Sequence, residues 1–396
     1  MQQAEDIKGR FASRLKEVAE IYQQGDSQLA LRRLMDAAID TANTDIFDAV
    51  TAHIEWLENA NPDEAQNWET SQTLLNRIAA AGVAPRTTFG ERILEASGVR
   101  KRYTSRSFEL GPVDTVLARG EMLGLVGENG NGKTTLLRIL AQELSVDEGS
   151  IEYFLPQSGN AYDLRSKLAY IPQRTPKWFG SLMDNLKFTL SCYGVKGQAN
   201  ESYVLMMVAR MGLWKYKNMQ WNELSSGYKM RFELARTFLR RPDILLLDEP
   251  LANLDMQAQQ TILEDLKSLA GSLANPIGVV LSSQQLYEVE KVSDRVLFLR
   301  RGQPLWQDQR AADPGDVLPP EHFIIEFETQ SPREELQAAL AKLSVEKISF
   351  NGGTYVAQFP VEVTMPAVME VLVSAGISLL YIRDISKSTR RFFVQS

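Results

Sequence analysis

Gly127-Glu128-Asn129-Gly130-Asn131-Gly132-Lys133-Thr134 sets glycines and a Lys-Thr pair at a spacing suited to phosphate chemistry. The apolar run Met122 to Val126 precedes it, and a helical pattern from Thr134 to Gln142 follows. A glycine-rich turn between strand and helix aims backbone N–H groups at phosphate oxygens. Lys133 then reaches the β- and γ-phosphates, and Thr134 offers its hydroxyl to Mg²⁺. The expected ligand is a nucleoside triphosphate, which by itself leaves kinases, GTPases and many ATPases open. A second group narrows this. Ile244 to Leu247 is an apolar strand closing on Asp248 and Glu249, with Asp248 serving the metal and Glu249 polarising an attacking water. Two adjacent carboxylates after four apolar residues are costly without a metal or phosphate-linked partner. Upstream, Leu224-Ser225-Ser226-Gly227-Tyr228-Lys229 opens a helix and forms a second anion site. Facing the γ-phosphate held by another copy, it would make nucleotide the glue of a homodimer.

The elements that must position these residues follow from periodicity. The chain's 396 residues suit two or three domains. Ile7, Phe11, Leu15 and Val18 recur at helical spacing, and capping residues at Asp26-Ser27, Asn43-Thr44 and Asn61-Pro62 start further helices, the last ending near Gly82. Residues 1–86 therefore read as an all-α bundle of about four short helices. Gly82 to Thr88 is an expected linker. Between it and the breaks at Asp313-Pro314-Gly315-Asp316 and Leu318-Pro319-Pro320, strands alternate with helices, which predicts an α/β fold with parallel sheet over 91–311. Residues 321–396 follow the order βαββαβ, with Ser331 and Glu334 as a capping box and Asn351-Gly352-Gly353 as a hairpin turn. That order predicts a small α+β ferredoxin-like domain.

Composition removes several classes. Formal net charge is −7; residues 1–86 carry 14 acidic and 8 basic side chains, a balance of −6, so the excess is N-terminal. No Lys/Arg-rich block offers phosphate-counterion exchange, which disfavours nucleic acid as a partner. No apolar run approaches the roughly 20 residues of a membrane span, and the polar, acidic start lacks a secretory signal. The single cysteine, Cys192, excludes an intrachain disulfide framework and reads as small apolar filler in a reducing cytosol. His53 and His322 are the only histidines and read as packing or surface residues.

The motifs, in this order, resemble the nucleotide-binding subunit of ABC ATPases over about residues 92 to 310. The resemblance implies a P-loop ABC ATPase core with a helical subdomain, using ATP and Mg²⁺. It places Tyr103, thirty residues before Lys133, against adenine. Gly127, Asn129, Gly130, Gly132, Lys133, Thr134 and Thr135 would line the phosphates, with Ser225 and Gly227 closing on them from the signature motif. Gln173, in Tyr170-Ile171-Pro172-Gln173, would touch both the metal and a transmembrane partner, joining Thr134 and Asp248 as the metal set. Glu249, Lys133 and Gln284 form the catalytic set, and Leu251-Ala252-Asn253-Leu254-Asp255 matches the D-loop. Trp178 and Phe179 either shape the groove that receives a membrane subunit or pack the core.

Two departures stand out. Gln284 occupies the position where the family places a histidine. An amide donates a hydrogen bond to phosphate but carries no positive charge, so turnover is expected to be slow or tuned by a partner. Ser226 and Tyr228 replace a glycine and a glutamine of the signature. The resemblance implies a transporter subunit working with a separate permease at the inner face of the membrane. The C-terminal segment, ending in Ser388 to Phe393, resembles the accessory domain of bacterial antibiotic and drug export subunits and favours export. The competing classes are a soluble ABC-type ATPase and a slow nucleotide switch whose acidic N-terminal helices recruit an unknown protein.

Overall fold

The computed structural model describes residues 2–60, 62–103, 108–156, 161–307, 322–351 and 353–386. The chain divides into two compact units, Met1–Gln307 and Asp308–Ser396.

The first unit opens with α1 (Gln2–Gln23), α2 (Ser27–Thr41), α3 (Thr44–Ala60) and α4 (Glu64–Ala81). A local signal starts α2 as expected, Asp26 accepting from the Leu29 N–H, whereas α4 is capped by Asp63, which accepts from the Gln66 N–H two residues after the expected Asn61. Their apolar faces share a core around Phe11, Leu34, Phe47, Val50 and Ile78.

Next come β1 (Arg92–Tyr103), β2 (Phe108–Ala118), β3 (Met122–Val126), α5 (Lys133–Leu140), β4 (Glu148–Tyr153), α6 (Ala161–Lys167) and β5 (Leu168–Ile171). The helical segment α7 (Leu182–Cys192), α8 (Gly197–Arg210) and α9 (Ser226–Leu239) follows. The unit ends with β6 (Ile244–Leu247), α10 (Met256–Ala270), β7 (Gly278–Ser283), α11 (Leu286–Glu290), β8 (Arg295–Arg300) and β9 (Gln303–Gln307). The main sheet has the order β5-β6-β7-β3-β8-β9, parallel except for the β8–β9 pair, beside an antiparallel sheet β2-β1-β4. Strands β3, β6 and β7 are buried along their whole length. That accounts for their unbroken apolar runs, since parallel strands are covered on both faces.

The N-terminal helices pack on α8 and α10 of the same chain. Arg210, the last residue of α8, is 2% exposed and bridges Asp36 of α2 and Asp265 of α10, donating to Asp265 Oδ1 at 2.5 Å. Arg32 donates to the same Asp265 oxygen, and Ser268 Oγ to Asp36 at 2.6 Å. Nearby, Asp40 accepts from Arg14, Ser272 Oγ and the Ala274 N–H. Burial pushes the Asp40 carboxyl up, against these donors, which favour its charged form. The expected linker is irregular but pinned, with Ala84 and Arg86 N–H donating to the Asp40 and Ala274 carbonyls.

The second unit comprises β10 (His322–Thr329), α12 (Arg333–Leu340), β11 (Lys347–Asn351), β12 (Thr354–Pro360), α13 (Met365–Ser374) and β13 (Leu379–Asp384). Its antiparallel sheet runs β11-β12-β10-β13, so the element order is the βαββαβ read from the sequence. Two local expectations fail. Pro332 caps α12 with no side-chain bond, so Ser331 and Glu334 form no capping box. Cys192 lies exposed at the end of α7 and is not apolar filler. The breaks between 313 and 320, Gly352 of the hairpin turn and the segment Ser388 to Phe393 lie outside the described residues.

Candidate nucleotide site

The site residues gather because parallel strands end together. Register places Val126 of β3 beside Ser283 of β7, and Leu247 of β6 beside Ile171 of β5 and Leu281 of β7. The loops that leave these ends carry Gly127 to Gly132, Gln173, Asp248-Glu249 and Gln284. This is the edge at which open α/β sheets bind ligands.

Two glycines of the first loop are required by space. A Cβ on Gly127 would stand 2.4 Å from the Leu299 carbonyl oxygen. Gly132, at φ +97, would bring one to 2.9 Å from Leu110 Cδ1. Asn129 and Gly130 are exposed at the loop's tip, and Asn131 Oδ1 accepts from the Arg301 N–H at 2.8 Å, tying the loop to the end of β8. Lys133 is buried. Its Nζ donates to the Gly127 and Glu128 carbonyls at 2.5 and 3.2 Å and pairs with Glu249 Oε1 at 3.1 Å. Thr134 and Thr135 occupy the first turn of α5.

Asp248 is engaged on both oxygens. Oδ2 accepts from Thr134 Oγ1 at 2.8 Å and from the Tyr170 hydroxyl at 3.3 Å, while Oδ1 accepts from Ser282 Oγ at 3.0 Å. Burial pushes the Tyr170 phenol up, and the Asp248 charge adds to the rise, so Tyr170 is a donor here. Glu249 has φ +48, a backbone region that non-glycine residues rarely adopt. Its side chain is 9% exposed, and Oε2 accepts from Gln173 Nε2 at 2.9 Å and Gln284 Nε2 at 2.7 Å. Lys133, Glu249, Gln173 and Gln284 thus form one cluster, and Thr134 and Asp248 a second beside it. Thr134 Oγ1 and Asp248 Oδ2 are hard oxygen donors that fit Mg²⁺ shared with phosphates. Gln173 bonds to Glu249, not to Asp248. Among the described residues, no group of three or more His, Cys, Asp or Glu is placed to hold a metal without such help.

The remaining predicted residues sit apart from these clusters. Tyr103 ends β1, with its ring 6.4 Å from that of Phe108. Phe108 was passed over in the sequence, yet a Cβ on Gly132 would stand 3.1 Å from its Cζ. Ser225 caps α9, and Gly227 follows in its first turn. Tyr228 turns its hydroxyl to Tyr216 at 2.8 Å, the rings 4.0 Å apart. Ser226 Oγ donates to the Asn253 carbonyl at 3.2 Å and so ties this helix start to the 251–255 loop. Trp178 packs on the core and Phe179 is 90% exposed. Tyr170 and Ser282 were also missed. Tyr170 stood within the motif quoted for Gln173 without a role of its own, whereas Ser282 had no signal.

Comparison with known proteins agrees with this geometry. The ABC transporter family model matches residues 110–252. The spermidine/putrescine import ATP-binding protein of Mesoplasma florum is 31% identical over 248 residues, covering 60% of this chain and 67% of that protein. The Nod factor export ATP-binding protein I of Burkholderia lata is 31% identical over 216 residues, covering 54% and 69%. The chain therefore spans about two thirds of the length of these curated relatives. The cbiO1 structure from Clostridium perfringens, part of the ABC transporter complex cbiONQ, is similar in fold at TM-score 0.50 and 22% identity, over 56% of this chain and 89% of that one. Motif order, strand-end geometry and relatives converge, and the chain belongs to the ATP-binding proteins of the ABC transporter family.

Proposed function

We propose that the protein is an ATPase whose two copies close on Mg·ATP and drive a separate membrane permease. The observation that carries this reading is the grip on Glu249. One carboxylate oxygen is paired to Lys133, the phosphate-binding candidate, and the other to Gln173 and Gln284. A triphosphate arriving at the glycine loop competes with Glu249 for Lys133. Once released, the Glu249 oxygen is available to accept a proton from water, while both amides still aim the side chain. Bound Mg²⁺ supplies charge neutralisation at the phosphates, with Thr134 and Asp248 holding it. Ser225 and Gly227 act on the nucleotide of the opposite copy.

The permease reading is supported by exposed aromatic side chains that follow Gln173 in sequence, with Phe179 at 90% and Phe188 at 71% exposure. Among the described residues no helix is long and apolar enough to cross a membrane. We place the protein at the inner membrane face. Export is the proposed direction, on the strength of the C-terminal βαββαβ unit as a ferredoxin-like accessory domain. ATP-dependent uptake of cargo by inside-out vesicles supports export, and uptake by right-side-out vesicles overturns it.

Glu249→Gln tests the chemistry. Turnover falls about a hundredfold or more, as expected for loss of a general base, while MgATP now traps a dimer visible by light scattering. Unchanged turnover, or a variant that stays monomeric with MgATP and permease together, overturns the proposal.

A further inference from the structure

Ser282 belongs to no motif, yet among the described residues it is the one bonded to both members of the carboxylate pair. It is fully buried near the end of β7. Its Oγ donates to Asp248 Oδ1 at 3.0 Å and accepts from the Glu249 N–H at 2.9 Å. A serine hydroxyl has one proton to donate, and here it goes to the carboxylate, leaving a lone pair for the amide. The strand register explains the reach. Leu247 lies beside Leu281, so Asp248, just past the end of β6, meets Ser282 of β7.

The two oxygens of Asp248 have different kinds of partner. On Oδ2 sits Thr134, which is exposed and can turn its hydroxyl elsewhere, together with Tyr170 at 3.3 Å. On Oδ1 sits Ser282, held in the middle of the sheet. A carboxylate fastened on one side presents the other side to a cation. The same hydroxyl holds the amide of Glu249, whose φ of +48 requires support from its surroundings. Ala252 N–H, donating to the Glu249 carbonyl at 3.1 Å, completes that support.

We propose that Ser282 is a positioning residue, a single hydroxyl that sets Asp248 Oδ2 toward Mg²⁺ and fixes the backbone from which Glu249 reaches water. The inference rests on the ATPase reading above. Alanine at 282 leaves Asp248 Oδ1 without its donor and the Glu249 amide without its acceptor. Losing a hydrogen-bond partner behind a metal ligand weakens metal affinity by about tenfold to a hundredfold.

The experiment uses the full chain in a Glu249→Gln background, where turnover does not interfere, and Mn²⁺ as a paramagnetic stand-in for Mg²⁺. Mn²⁺ binding to the protein–ATP complex is titrated by electron paramagnetic resonance, and ATP binding in EDTA by equilibrium dialysis. Ser282→Ala is expected to raise the Mn²⁺ dissociation constant about tenfold or more, with ATP affinity in EDTA within about twofold of the parent. Ser282→Thr, which keeps the hydroxyl on a strand-favouring residue, is expected to restore Mn²⁺ binding. Should the alanine variant fail to fold, Ser282→Cys keeps the shape with only a weak donor and is expected to lose Mn²⁺ affinity in the same direction. Parent-like Mn²⁺ binding in Ser282→Ala or Ser282→Cys, or a threonine variant as weak as alanine, overturns the inference. A parent chain that binds no Mn·ATP defeats the ATPase reading itself, which separates the two failures.

Discussion

The charges at the seam of the N-terminal bundle and the charges at the strand ends are both buried, but they are held in different ways. At the seam, Arg210 sits between Asp36 and Asp265, and each acid also binds a further donor, Ser268 or Arg32. Burial opposes the charged guanidinium, yet the two carboxylates outweigh it and hold its proton more tightly than in an ordinary arginine. At the strand ends, Glu249 is held by Lys133 and by two exposed amides, Gln173 and Gln284, and Asp248 by an exposed threonine. Arg210, Asp36 and Asp265 are all buried. Thr134, Gln173 and Gln284 stand at the edge of solvent, where an incoming ligand can replace them. Burial of charge alone does not mark function; exchangeable partners do.

Breaking the seam gives the largest expected effect. Arg210→Met leaves two carboxylates buried against each other and costs about 3–5 kcal/mol of unfolding free energy, read by urea denaturation. A triple variant, Arg210→Met with Asp36→Leu and Asp265→Leu, should recover most of the loss, because a well-packed apolar replacement of a buried ion cluster is often neutral or better. If Arg210→Met alone costs under about 1 kcal/mol, the contrast between the regions fails.

The site should answer differently. Gln284→His changes stability by no more than about 0.5 kcal/mol, as for an exposed position, and preserves or raises ATP turnover, measured by phosphate release. A large drop in rate would mean that Gln284 is itself adapted to holding Glu249.

The smallest effect concerns pH. Burial lowers His53 below its ordinary 6.5, only partly offset by the Asn67 hydrogen bond, so the folded bundle holds it neutral. Its contribution to stability is fully present above about pH 6.5 and is lost as pH falls through the lowered folded value. Thermal melts of the parent should therefore drop from pH 7.5 to 5.5 by more than those of His53→Gln. Equal drops would show that His53 exerts no such linkage.

Legibility followed locality. The glycine loop, the strand ending in Asp248-Glu249 and the cap at Asp26 were readable because each signal lies within a few residues. The seam was not. Asp36, Arg210 and Asp265 lie on amphipathic helices where charge reads as solvated surface, and Arg210 meets Asp36 across 174 residues of chain. Ser282 was equally silent, since a serine on a strand declares nothing until the neighbouring strand is placed beside it. Ser331 shows the reverse failure, a capping signal present in sequence that Pro332 does not use.

The bundle's attachment also constrains mechanics. Tyr203 and Arg210 fasten α8 to the N-terminal helices, while Asp265, Ser268 and Ser272 fasten α10 and the turn after it to those same helices. A tilt of α8 against α10 must therefore drag four helices with it or shear an ion cluster shut away from water. The N-terminal helices thus bridge α8 and α10 by side-chain contacts as well as by packing.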